Sequence, residues 1–413
     1  MLRALSRLPR TVWLIGLISL INDSASDMIY PLIPLYLSSV LLAGPRAMGI
    51  IEGIAEATAS LLKLFSGVLF DHTRRAKPWI VFGYGLAGLG RPLIALVSSW
   101  PLLLVLRFTD RVGKGLRTSP RDALLATSAG AERRGLAFGL HRALDNAGAV
   151  VGPLVASLLL GAGLGLKAIF LWTLAPALLC LMLALMIREP EPLSQPSAKG
   201  FDWHLQTMPD PFRRYLVVVA LFTLGNSSNM FLLLRARELG VAQAQIPLLW
   251  ATTSAVAMCF STPLAALSDR FGRIRLLVAG YLAYGLFYLT FGQLHHDGVV
   301  LFTLFGCYGL FMAATEGVEK ALVADLAPEG HQGTAFGWFN LVTGAMLLPA
   351  SIVFGWLYQG LHPQIAFLFA GSCALTAAIL LFAWVRPEMA RARASQETTT
   401  EADRTNPSPS HFT

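Results

Sequence analysis

The chain has 413 residues, 55% of them hydrophobic and only 14% charged, with a mean hydropathy of +0.59. A water-surrounded domain carries about 25% charged residues and a disordered chain has low hydrophobicity, so this chain is neither a soluble enzyme nor a disordered protein. Its net charge of +8 is scattered between apolar runs rather than gathered into the basic face of a nucleic-acid binder, so no nucleic-acid partner is expected and a lipid bilayer is the solvent that remains.

A hydrocarbon core about 30 Å thick needs about 20 apolar residues in a helix. Breakers and charge clusters delimit twelve such stretches. The first six run over 12–40, 47–70, 79–98, 100–126, 135–160 and 167–187. The next six run over 214–237, 243–267, 275–294, 298–325, 333–358 and 363–385. The expected organisation is an all-α integral membrane protein: a six-helix bundle over 1–187, a Pro-rich cytoplasmic linker over 188–213, a second bundle over 214–386 and a disordered tail over 387–413. The first apolar stretch is too long for a signal peptide. Twenty-one Lys and Arg residues lie at span ends on the N-terminal side of the membrane and four at the opposite ends. The positive-inside bias therefore places both termini in the cytoplasm. Cys180, Cys259, Cys307 and Cys373 sit inside apolar segments without a C-x-x-C pair, a pattern of packing residues rather than of metal ligands or disulfides.

Charges inside spans are the informative minority. Span one carries Asp23 and Asp27; span two carries Glu52, Glu56 and, lower down, Lys63. Span three has Arg91, span four has Arg107, Asp110, Arg111 and Lys114, and span five has Arg142 and Asp145. Each costs about 2.5–3.5 kcal/mol or more at the bilayer centre unless it is paired or wetted. At about 1.5 Å per residue, Asp23, Glu56, Arg91, Asp110 and Arg111 fall at similar depth. Glu52 and Glu56 share a helix face four residues apart, and Arg107, Arg111 and Lys114 form a stripe. Burial and a neighbouring cation change proton affinity in opposite senses, so Asp23, Asp27, Glu52 and Glu56 are the candidates for proton coupling. Arg107, Asp110 and Arg111, with Asp145, tune them or bind substrate; Arg91 and Arg142 suit structural pairing equally well. The second half offers a neutral patch, Asn226 to Asn229 in span seven, and Glu316, Glu319 and Lys320 in span ten. Asn226, Asn229 and Glu316 are therefore the candidate substrate contacts there. Trp250, Tyr281, Tyr284, Tyr308, Trp338 and Asn340 either line a cavity or pack.

The two halves repeat at an offset of 198 residues. Segment 67–77 lies over 265–275, matching Asp71 to Asp269 and Arg75 to Arg273, and 123–139 lies over 321–337. Six spans per repeat keep both halves in the same orientation, and a parallel repeat places its binding site between the halves near the midplane. Gly83 to Gly88 fits G-x-G-x-x-G but lies inside an apolar span without the strand a dinucleotide site needs. No Walker-type loop is present in the sequence, so ATP is not the expected energy source.

These features resemble the major facilitator superfamily. Gly67-x-x-x-Asp71-His72-x-Arg74-Arg75 is similar to that family's G-x-x-x-D-R-x-G-R loop, and Asp269-Arg270-Phe271-Gly272-Arg273 matches its D-R-x-G-R part. Gly148-x-x-x-Gly152-Pro153 is similar to a motif associated with antiporters, and Arg107 stands where the family has a membrane-embedded Arg. His72 and Arg74 depart from the loop pattern, and Asp110-Arg111 departs from the residues usual after that Arg. The resemblance implies the twelve-helix facilitator fold, gating loops at Gly67, Asp71, Arg75, Asp269, Arg270 and Arg273, and a latch from Asp71 to the start of span eleven. Gly148, Gly152 and Pro153 also have a plain packing role, close helix approach and a bend.

The expected function is secondary active transport by alternating access: proton-coupled efflux of a small organic molecule from a monomeric protein of the cell membrane, of bacterial inner-membrane type. No metal or cofactor is expected beyond a proton gradient. Uptake or exchange of an anionic metabolite on Arg91, Arg107 and Arg111 is the alternative within transport. A non-transporting membrane sensor or scaffold is the alternative outside it, and it explains neither the doubled loop nor the buried carboxylates.

Overall fold

The computed structural model of the chain describes residues 8–73, 75–129, 134–189, 205–294, 299–328 and 332–387. Twelve helical rods account for nearly all of them: α1 (Arg10–Ser39), α2 (Pro45–Thr73), α3 (Ala76–Leu96), α4 (Trp100–Ala129), α5 (Arg134–Gly161), α6 (Leu166–Leu185), α7 (Asp210–Glu238), α8 (Ile246–Phe271), α9 (Arg273–Gly292), α10 (Val299–Leu326), α11 (Gln332–Gly360) and α12 (Pro363–Val385). Ten of these are long and apolar enough to cross a membrane. The other two, α2 and α4, are 29 and 30 residues long and carry charge along their length. They hold that charge inside the protein: α2 packs between α4 and α11, and α4 between α2 and α3. A helix satisfies its own backbone groups without water, and the described residues contain helices and no strand.

Starts and stops follow local chemistry. Pro45 and Pro363 open α2 and α12 at positions where a missing N–H is harmless. The Glu189 carboxylate accepts from the backbone N–H groups of Ala76 and Lys77, placing an anion on the N-terminus of α3. Between α8 and α9, Gly272 turns the chain in one residue at φ +91°, a conformation glycine reaches without a Cβ penalty. The equivalent first-half position is Arg74, which lies outside the described residues. The expected linker 188–213 and tail 387–413 also fall mostly outside them. The structure nevertheless starts α7 at Asp210, earlier than the expected 214.

The 198-residue repeat is visible as architecture. Shifted by 198, α2 falls on α8 with its leading turn Gln243–Gln245, and α5 falls on α11. These four helices also join the halves: α2 packs on α11, and α5 packs on α8. The two contacts exchange under the repeat, as they must for parallel halves related by an axis along the membrane normal.

The interiors of the halves differ. Among the described residues, the buried charged side chains Glu52, Arg91, Arg107, Asp110, Arg111 and Arg117 all belong to the first half. The second half fills the same space with aromatic rings: Phe222 stacks on Tyr281 with centroids 3.8 Å apart, Tyr284 on Tyr288 at 4.2 Å, and Tyr308 and Phe311 close the group. Tyr281, Tyr284 and Tyr308 are thus core residues, not a cavity lining.

Candidate functional site

Two helices are interrupted at matching repeat positions, and the site forms beside them. In α1 a 3-10 turn at Tyr30–Leu32, carrying Pro31, replaces the α-helical turn. In α7 the helix ends at Gly225 and restarts at Met230, leaving Asn226 to Asn229 unwound. Tyr284 donates to the freed Gly225 carbonyl at 3.1 Å and to Asn226 Oδ1 at 3.3 Å, and Tyr308 donates to Asn229 Oδ1 at 2.5 Å. The neutral patch is therefore held by the aromatic core through hydroxyls.

Ser228 of that break donates to Glu52 Oε2 of α2 across the two halves at 3.5 Å. The other oxygen of Glu52 accepts from Arg107 Nη2 at 2.7 Å and Nε at 3.0 Å. Arg107 Nη1 lies 3.9 Å from Asp110 Oδ2, one turn along α4, and Asp110 Oδ1 accepts from Arg91 Nε at 3.1 Å. Arg91 Nη1 donates to both oxygens of Asn22, main chain at 3.1 Å and side chain at 3.0 Å. Asn22 Nδ2 then donates to Asp23 Oδ1 at 2.7 Å, and the Asp23 carboxyl lies within hydrogen-bonding distance of the Asp145 carboxyl. A continuous polar chain thus runs from the second half through α2, α4, α3 and α1 to α5. Buried charges survive only when paired and hydrogen-bonded, and each member up to Asn22 meets that condition.

The end at Asp23 does not, because two carboxyls meet there. Their proximity is imposed by the backbone. A Cβ on Gly148 would lie 2.7 Å from Leu20 O and 3.0 Å from the Asp23 Cβ, and one on Gly152 would lie 2.7 Å from Met28 N. The G-x-x-x-G-P stretch seats α5 directly on α1, so its packing role is plain. Around the pair stand Asp27, Lys114, Arg121, His141 and Arg142; the His141 Nε2 and Ser19 Oγ are 2.9 Å apart, with donor and acceptor set by the tautomer.

A second rung lies beside the first. Arg111, four residues beyond Arg107, places Nη2 2.9 Å from Glu56 Oε1, four residues beyond Glu52. Glu52 is fully buried, whereas a third of the Glu56 side chain is exposed, so the ladder runs from dry to wet. Asp27 faces Arg111, Lys114 and Trp250. Arg142 of α5 reaches Glu316 of α10 at 3.5 Å, with 59% and 53% of the two side chains exposed. An ion pair inside two spans and more than half exposed lines a water-accessible cleft between the halves.

That cleft is closed on the face away from the chain termini. Arg46 N–H donates to Gln359 Oε1 at 3.0 Å, and Ser157 Oγ donates to Ala244 O at 2.7 Å. Tyr30 and Trp250 face each other across the halves at 5.2 Å. Glycines seal α2 to α11: a Cβ on Gly53 would lie 2.9 Å from Leu348 O, and one on Gly355 would lie 2.7 Å from Pro45 O.

Every charged candidate inside the first half therefore meets a partner on a neighbouring helix or lines the cleft, and the arginines expected to meet an anion, Arg91, Arg107 and Arg111, already bind carboxylates. The role of Asn22 as the joint between Arg91 and Asp23 depends on packing between helices and is not legible in the sequence. Of the gating loops, the side chains of Gly67, Asp71 and Asp269 lie outside the described residues, as does the latch. Arg75 precedes α3 in extended conformation, Arg270 is exposed, and Arg273 pairs with Asp325 of α10 at 2.5 Å.

The sequence profile described as Major Facilitator Superfamily matches residues 15–234 and 214–410. An MFS-type transporter of Methanocaldococcus jannaschii is 32% identical over 382 residues, covering 91% of this chain and 94% of its own. The multidrug resistance protein MdtH of Photorhabdus laumondii is 26% identical, covering 84% and 88%. The nucleoside transporter NupG shares the fold at a TM-score of 0.77 with 14% identity, over 91% of this chain and 99% of its own.

Proposed function

Because the chain belongs to the major facilitator superfamily, we propose that it is a secondary active transporter that couples proton movement to transport of a small organic molecule by alternating access, with Asp23 and Asp145 as the proton site. Transporter, rather than enzyme, is what the family and its relatives support. The observation that carries the proton assignment is the carboxyl pair itself. Two carboxylates in contact repel, and a proton between them removes the repulsion. A static scaffold would give each carboxylate a guanidinium in direct contact, as at Glu52, Asp110 and Glu56.

The polar chain supplies the link to movement. A proton arriving at Asp23 changes what Asn22 and Arg91 must neutralise, and the far end of the same chain is the Glu52–Ser228 contact between the halves. In this reading Glu52 and Arg107 anchor the chain, while Asp23, Asp27, Asp145 and Glu56 face the cleft and exchange protons. Export is the direction suggested by the relative named a multidrug resistance protein. Proton-linked uptake or exchange of an anion is the second reading, favoured by the unpaired lysines described below.

The test is flux in proteoliposomes under an imposed pH gradient, over a panel of organic anions, cations and neutral compounds. Gradient-driven flux of at least one class is expected, with Asp23→Asn and Asp145→Asn each uncoupling it from the gradient. Flux with an unchanged pH response in both variants contradicts the assignment.

A further inference from the structure

Three lysines stand outside the ion pairs of the site. Lys63 of α2, Lys114 of α4 and Lys320 of α10 have no carboxylate within 4.0 Å among the described residues. Ion pairs and close contacts already fix where these lysines face. Lys63 follows Glu56 by two helical turns, and Lys114 follows Arg111 by one, so both extend the faces joined by the Glu56–Arg111 pair. At this level α2 and α4 are in contact: Ser119 Oγ donates to Lys63 O at 3.0 Å, and Gly115 leaves no room for a side chain beside Leu62. Lys320 lies one turn beyond Glu316, which reaches Arg142 across the cleft. Lys63 consequently has Lys114, Lys320 and Arg111 as its cationic neighbours, and its carboxylate neighbour Glu56 is already held by Arg111. Lys114 also faces Asp23, Asp27 and Glu56 without forming an ion pair with any of them.

Like charges converging from three helices and two halves, within the depth of a membrane, are unfavourable unless something negative joins them. No packing requirement explains them, because a lysine near a span end could point its ammonium to the membrane surface instead. We propose that Lys63, Lys114 and Lys320 form the binding site for an oxyanion group, a carboxylate, phosphate or sulfonate, on the transported molecule. Each ammonium offers three donors to an acceptor-only group. Lysines also suit a ligand that must leave, since their flexible stems lack the fork that would fix a bidentate arginine contact. Two lysines come from the first half and one from the second, so the bound anion draws α10 toward α2 and α4 and closes the cleft from the terminal face. This inference rests on the transporter reading and names the substrate class for it.

An oxyanion could come from a soluble substrate or from a lipid headgroup, and thermal unfolding of the purified full chain in detergent separates them. The probes are inorganic phosphate, succinate, benzoate and benzenesulfonate at constant ionic strength, with benzyl alcohol as the neutral control and phosphatidylglycerol as the lipid. At least one soluble anion is expected to raise the midpoint by a few degrees at saturation, and benzyl alcohol is not. Lys63→Gln and Lys320→Gln should each weaken that response by about tenfold or more in concentration. Lys320 is exposed, so its variant carries the test if Lys63→Gln fails to fold. No response to any soluble anion, a response to phosphatidylglycerol alone, or an undiminished response in Lys320→Gln overturns the proposal. Anion binding without flux of any compound overturns the transporter reading alone; gradient-driven flux without anion binding overturns this inference alone.

Discussion

At the residue scale, burial separates the charges that hold the first half together from those that can change state. The Glu52–Arg107 pair is dry, and removing one partner leaves an uncompensated buried charge, which costs about 3–5 kcal/mol. Glu52→Ala and Arg107→Ala should therefore each lower the unfolding midpoint of the purified protein sharply. The double variant should lose less than the two singles combined, because neither charge is then stranded. Glu56→Gln should be milder, since water reaches a third of that side chain and screens the loss. Equal losses at Glu52 and Glu56 would mean that the dry-to-wet gradient along α2 does not exist.

At the element scale, two glycines of one helix predict opposite outcomes. Gly152→Ala places a Cβ against the main chain of α1 near Ser24 and Met28 and should destabilise by about 1–3 kcal/mol, as overpacking does. Gly139, in the same helix α5, has nothing within 4 Å of an added Cβ, so Gly139→Ala should stabilise by about 0.5–1 kcal/mol through helix propensity. Thermal melts of the two variants side by side check both signs.

Most elements were legible from the sequence because a membrane helix advertises itself by length and hydropathy: the twelve expected stretches overlap the twelve rods, ten of which are long and apolar enough to cross a membrane. The charged pair α2 and α4 was legible by spacing too: Glu52 with Glu56 and Arg107 with Arg111 each share a face, and the structure sets the two faces together as rungs. The breaks were not legible. The Asn226–Asn229 patch reads as polar residues in a span, and only the Tyr284 and Tyr308 hydroxyls, more than fifty residues away in sequence, make an unwound turn affordable there. The meeting of Asp23 with Asp145 was hidden for a similar reason. It depends on which faces of α1 and α5 touch, and Gly148 and Gly152 decide that without any charge pattern.

At the scale of the whole molecule, halves with the same architecture have different interiors, ionic in one and aromatic in the other, joined by the α2–α11 and α5–α8 seams. Rocking about those seams requires the closed face to open, so a link across it should stop transport. A disulfide or short bifunctional cross-link between Arg46→Cys and Gln359→Cys, in a background with the four native cysteines replaced, should abolish proteoliposome flux reversibly with reductant; undiminished flux would exclude rocking at this seam. The sign of coupling is also open to measurement. On the uptake reading, a proton on Asp23 and Asp27, which both face Lys114, frees that lysine for an anion, and proton and anion move together. Adding the anion outside should then alkalinise a weakly buffered external medium; acidification would favour exchange.

The central claim is that protonation of the Asp23–Asp145 pair drives the two halves between states. Spin labels at Ala162→Cys and Leu361→Cys, exposed positions on the closed face in opposite halves, report that motion without knowledge of the substrate. Double electron–electron resonance across a pH series should show a short and a long population whose ratio changes with pH, and Asp23→Asn should abolish the change while His141→Gln leaves it in place. A single distance distribution at every pH, or a pH response that persists in Asp23→Asn, would contradict it.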